Sequence, residues 1–119
     1  MKTAPQIVFE NIDSSDAVRQ RILDEIAQLE DVYGRITACR VVVARPEKGG
    51  RTGTPFQIRI HLGLPGGKEV AVRPGTAGHE RKTDPIVAIR AAFDAARRQL
   101  KRNVKRMRGD VKAHEEREE

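Results

Sequence analysis

Val18, Ile22, Ile26, Leu29 and Tyr33 recur at steps of three and four, the spacing that gathers apolar side chains on one face of an α-helix. Asp13-Ser14-Ser15-Asp16 precedes the stripe; a serine hydroxyl there caps the first free amides, and Asp16 favours the positive end of the helix. Gly34 follows as a stop. Ahead of this helix, Gln6 to Ile12 is a short β-rich run. Behind it, Ile36 to Arg45 is rich in β-branched residues, and Phe56-Gln57-Ile58-Arg59-Ile60-His61-Leu62 alternates strictly between apolar and polar, the pattern of a strand with one wet face. Pro65-Gly66-Gly67 turns the chain into Lys68 to Arg73, a fourth strand. The stretches Pro46 to Pro55 and Pro74 to Thr83 read as loops. Asp84-Pro85 then supplies a helix cap followed by proline at the first helical position. Ile86, Ile89, Phe93, Ala96, Leu100 and Met107 form the stripe of a long second helix, with Gly109 as its expected end.

The predicted order, β-α-β-β-β-α, implies an α+β fold: a four-stranded sheet, antiparallel or mixed, with two helices packed on one face and the other face open. One domain is expected over residues 1–108, and a chain of 119 residues buries roughly two thirds of its unfolded surface. Residues 109–119 are expected to be an acidic, disordered tail, with too few apolar side chains to fold alone. No run of about 18 apolar residues and no apolar N-terminal stretch is present, so a cytosolic protein without membrane contact is expected. The single cysteine, Cys39, makes no internal disulfide and fits a reducing compartment.

Charge changes the picture more than composition does. The net charge is +6, but residues 1–34 carry 3 basic and 7 acidic groups, residues 35–82 carry 10 and 3, residues 83–108 carry 8 and 2, and the tail 2 and 5. Within the second helix Arg90, Arg97, Arg98, Lys101, Arg102, Lys105, Arg106 and Arg108 project away from the apolar stripe, offset only by Asp94. Such a face is often merely solvated, its late cations favouring the negative helix end. Here the pairs 97/101, 98/101, 98/102, 101/105, 102/105, 102/106 and 105/108 repel one another, at a summed cost of about 2 kcal/mol before screening. A helix that needed only solubility would interleave glutamates. The pattern therefore points to an anionic partner whose phosphates meet these cations as counterions leave. Arg59 and His61, with Gln57, occupy the wet face of the sheet, and Arg40 and Arg73 are candidates to join them. That face lacks aromatics, so it has no platform for stacking bases, and structured RNA fits better than a single strand.

Other chemistry is poorly supported. Cys39 lies among apolar neighbours and reads as a buried, inert thiol. His61, His79 and His114 fall on a strand, a loop and the tail, with no metal-binding spacing. Gly49-Gly50-Arg51-Thr52-Gly53 lacks the lysine and following helix of a phosphate-binding loop. No nucleophile or paired-carboxylate arrangement emerges. A binding protein with no cofactor, metal or small-molecule substrate is expected, not an enzyme.

Several segments, in order, resemble the ribosome hibernation promoting factors, also called ribosome-associated translation inhibitors or sigma-54 modulation proteins. They are Ser15-Asp16-Ala17-Val18-Arg19, Arg35 to Val43, the strand, turn and strand from Ile60 to Val72, and Asp84-Pro85-Ile86-Val87-Ala88-Ile89 running into Ala91 to Leu100. The resemblance spans about residues 6–108 and rests on the ordered set. It implies a β-α-β-β-β-α domain in the small-subunit channel where messenger and transfer RNA would lie, contacting ribosomal RNA and stopping translation in idle ribosomes. On matching positions the RNA-binding role falls to Arg90, Arg97, Arg98, Lys101, Arg102, Lys105, Arg106 and Arg108, followed by Arg40, Arg59 and Arg73. Many relatives carry an aromatic residue where Ile86 stands and an acid where Arg90 stands. Long members add a dimerisation domain; nothing in this chain matches one, so a monomer is expected. Two other readings stay open: a double-stranded RNA module acting off the ribosome, and an interaction module for an acidic protein. The first of these typically uses lysines at the start of its second helix, where this chain has Asp84-Pro85-Ile86-Val87.

Overall fold

The computed structural model describes residues 3–45, 56–74 and 84–117, with side chains as far as Gly109. The loops expected at 46–55 and 75–83, His79, the His114 side chain and residues 118–119 lie outside the described residues.

Continuous apolar runs build the strands β1 (Gln6–Glu10) and β2 (Ala38–Ala44), alternating apolar residues build β3 (Gln57–Gly63) and β4 (Glu69–Val72), and the two stripes build α1 (Asp16–Val32) and α2 (Pro85–Arg117). The sheet order is β1-β2-β3-β4. β1 pairs parallel to β2 because α1 carries the chain back across the sheet, whereas β2–β3 and β3–β4 are antiparallel. The sheet is therefore mixed, and the fold is α+β in the order expected.

Local chemistry sets the element ends. The Ser15 hydroxyl accepts from the Val18 amide at 3.3 Å, and the Asp84 carboxylate accepts from the Ile86 amide at 2.9 Å. Between β3 and β4 the backbone at Gly66 and Gly67 has φ of 78° and 74°, a region costly for any residue with a Cβ. The turn closes with the Leu64 amide donating to the Lys68 carbonyl at 2.8 Å.

Two layers bury one core. Val18, Ile22, Ile26 and Leu29 of α1 and Ala88, Ile89, Ala92, Phe93, Ala95, Ala96, Leu100 and Val104 of α2 meet Cys39, Val41, Val43, Ile58, Ile60, Leu62, Val70 and Val72 of the sheet. α2 covers β3 and β4 and lies against α1. Its alanines let its backbone approach the strands closely.

One boundary differs from expectation. α2 does not stop at Gly109 but continues to Arg117, so the backbone of the acidic segment prolongs the helix. A glycine in a helix interior costs about 1 kcal/mol relative to alanine; it ends a helix only when it takes a left-handed conformation, and Gly109 is not among the positive-φ glycines.

Candidate nucleic-acid interface

Because Ile89, Phe93, Ala96 and Leu100 turn toward the sheet, the 100° step of the helix directs the cations outward. Arg98 and Lys105 project almost opposite the core. Lys101 and Arg108 flank α1, and Arg102 and Arg106 lie on the other flank. All six, with Arg90, are exposed. The outer face of α2 is thus a continuous basic ridge from Arg98 to Arg108.

Arg97 does not belong to that ridge. Its guanidinium donates to Gln28 Oε1 of α1 at 2.9 Å and to Asp94 Oδ1 at 3.2 Å, and stands 3.8 Å from Glu25 Oε1. Glu25 is only 4% exposed and also pairs with Arg21 at 3.2 Å. Spacing alone missed this buried acid, although Glu25 sits at i+3 from Ile22 and i−4 from Leu29, on the inner side of α1. Arg97 clamps the helix pair, a different task from the one its position in the basic run implied. Arg97→Ala is expected to lower stability by about 1–2 kcal/mol, since it leaves Glu25 with a single cationic partner. Urea denaturation measures this.

On the open face of the sheet, Arg40 faces His61 and Arg59 faces Val42 across the β2–β3 ladder. Arg73 follows Val72, the partner of Ile60, and so lies in line with Arg59. Gln57 stands opposite Ala44. His61 Nε2 and Glu69 Oε2 form an exposed ion pair at 2.5 Å when the imidazole is charged. Arg40, Arg59 and Arg73 are exposed, as the alternation required. The centre of this face is less polar than a wet face implies: Val42 is 7% and Ala44 6% exposed.

The structure separates these two basic surfaces. Both helices occupy one side of the sheet, so the α2 ridge looks away from it on that side and Arg40, Arg59 and Arg73 look away on the other. The sheet does not extend the helix footprint sideways; it presents a second basic surface on the opposite side of the molecule.

Cys39 faces the core and is 3% exposed. Burial, and secondarily the negative charge of Glu30, push its pKa from 9.0 up to about 12. The thiol should therefore resist iodoacetamide at pH 8 in the native protein and react on unfolding. The unfolded chain releases this proton above pH 9 and the native one only near 12. The thiol's contribution to stability is thus intact below pH 9 and falls with rising pH across that window, and the stability difference between wild type and Cys39→Ala should shift accordingly. Among the described residues no group of three or more His, Cys, Asp or Glu side chains is placed to hold a metal ion. No described helix is long and apolar enough to cross a membrane.

The fold has solved counterparts. The N-terminal domain of Protein Y from Thermus thermophilus superposes with a TM-score of 0.60 at 22% identity, covering 84% of this chain and 98% of that one. A ribosomal subunit interface protein from Coxiella burnetii gives 0.66 at 13% identity, covering 84% and 96%. Both likenesses are of fold. No curated protein matches in sequence. The pattern of the sigma 54 modulation protein / S30EA ribosomal protein family matches residues 6–108, which take in every strand, α1 and the whole basic ridge of α2. By that match the chain belongs to the sigma 54 modulation protein / S30EA ribosomal protein family.

Proposed function

We propose that this protein is a translation inhibitor that binds ribosomal RNA of the small subunit in the channel for messenger and transfer RNA, and holds idle ribosomes inactive. The observation that carries the reading is the basic ridge of α2, in which Arg98, Lys101, Arg102, Lys105, Arg106 and Arg108 are exposed together despite their mutual repulsion. A surface kept at that cost suits a dense line of phosphates. Arg90 adds to the ridge near the start of α2, and Arg97 is left out because α1 holds it.

Arg40, Arg59 and Arg73 on the opposite side suit the same site. A protein lying on one flat RNA surface uses one basic face, whereas a protein lodged in a channel meets RNA on both. Family membership and the solved fold of a ribosomal subunit interface protein support ribosome association; the channel and the block to translation are our inference. The protein acts as a cytoplasmic monomer by occupying space and needs no catalytic group.

Co-sedimentation with isolated small subunits, followed by cell-free translation with rising amounts of protein, tests the reading. Salt-sensitive binding with matching inhibition is expected. A protein that stays in the supernatant at low salt while binding free double-stranded RNA would instead act off the ribosome. Binding that survives removal of the RNA would identify an acidic protein as the partner.

A further inference from the structure

Where α1 ends, the flank of α2 continues past it, and the two helices enclose a groove of about 690 Å³ lined by Val32, Lys101, Val104, Lys105, Arg108 and Gly109. Its floor is aliphatic: Val104 is 6% exposed and Val32 is half-buried. Its rim is cationic, because Lys101, Lys105 and Arg108 are all exposed, and among the described residues no acidic side chain lines it. The volume lies within the range of small-ligand sites.

Neither half of this combination is explained by a basic ridge alone. Phosphates need cations but no apolar hollow, and a hollow for an apolar side chain needs no ring of cations. An unstacked nucleotide needs both: its base has two apolar faces to remove from water, and its phosphates lie close on either side. The ridge continues beyond the groove through Arg98, Arg102 and Arg106, so the nucleotides before and after the base would also find cations. A run of charge longer than the groove favours a polyanion over a short acidic peptide.

We propose that this groove receives one unstacked base of the bound RNA, seated on Val32 and Val104, with the adjoining phosphates held by Lys101, Lys105 and Arg108. The inference rests on α2 being the RNA-binding surface and adds the place where that surface takes hold of a single nucleotide. Among the described residues the open face of the sheet carries no Phe, Tyr or Trp for stacking; the groove supplies an aliphatic slot in their place.

Gly109 allows a test that spares the core. A Cβ added there meets no heavy atom within 4 Å, and replacing a helical glycine favours the helix. Gly109 lines the groove, so Gly109→Trp sets a large ring at its edge, over the turn that carries Lys105, and Gly109→Ala changes the helix without that bulk. Binding to isolated small subunits is measured across a salt series, with chemical probing of the RNA at saturation. Gly109→Trp should bind about tenfold more weakly, the order expected for one seated base. Its salt dependence should match wild type because no cation is removed, and one nucleotide protected by wild type should become reactive. Gly109→Ala should bind as wild type does. If wild type binds and Gly109→Trp binds equally well, the groove is empty and the inference is overturned while the ridge stands. If Gly109→Trp binds weakly but leaves the RNA pattern unchanged, the occupant is protein and the inference is again overturned. If wild type itself does not bind, the reading of α2 fails, and the groove with it.

Discussion

The triple variant Lys101→Glu, Arg102→Glu, Lys105→Glu should lose at least about 100-fold in affinity for small ribosomal subunits and cease to co-sediment at physiological salt. These residues span one turn at the centre of the ridge, where all are exposed. In the proposed complex, reversing them both removes cations from the phosphates and places carboxylates against the RNA. Every phosphate left without its cation should also lower the slope of log affinity against log salt by about 1, so the variant's residual binding should be far less salt-sensitive. Misfolding cannot produce this result unnoticed. The substitutions relieve repulsion with Arg98 and Arg106 and replace good helix formers with another, so the melting temperature should be equal or higher. Wild-type affinity in the variant at about 0.15 M salt would remove the ridge from the interface. The same preparation in cell-free translation links binding to inhibition: loss of both together is expected.

Phe93→Ala should destabilise the domain by about 3–5 kcal/mol. Phe93 is wholly buried and heads the large, fully buried side chains, placed where α2 crosses β3 and β4. Its removal leaves a cavity that Ala92 and Ala96 are too small to fill. Against a typical total of about 5–15 kcal/mol, this is a large fraction, and the melting temperature should fall by roughly 10–20 °C. Thermal and urea denaturation measure it. Well below the new melting temperature, the variant should still bind subunits, because Phe93 points away from the cations. A midpoint shift of less than about 3 °C would mean that α2 does not depend on the sheet in the way this core requires.

Much of the fold was legible because its signals are local. Period-two alternation in 56–62, caps at Ser15 and Asp84 and the glycine pair at 66–67 each constrain a few neighbouring residues. Val104 escaped notice in the α2 stripe because it stands between Asn103 and Lys105, and Ala88, Ala92 and Ala95 because alanine is equally at home outside. Gly109 misled for a related reason: glycine permits a helix end, but only the conformation it takes decides one.

The candidate site was less evenly legible. The cations of α2 were visible as a run, and their outward direction follows from the helix period once Phe93 and its neighbours face inward. Arg97 could not be separated from the run by spacing, since its partners Glu25 and Gln28 lie about seventy residues away in sequence and meet it only when α1 and α2 pack together. The groove between Val32 and Gly109 has the same origin.

What the sequence determined by itself is therefore whatever depends on residues within a turn or a strand of one another: the elements, most of their ends, which side of each is apolar, and the concentration of positive charge on one helix. What only the tertiary structure decided is how those sides are placed relative to each other. Both helices must bury their stripes on the same face of one sheet, and this sets the α2 ridge and the arginines of β2 and β3 on opposite sides, takes Arg97 out of the ridge, and opens a basic-rimmed groove where the shorter helix stops. Pairing between distant segments is a property of the packed core, and no local pattern encodes it.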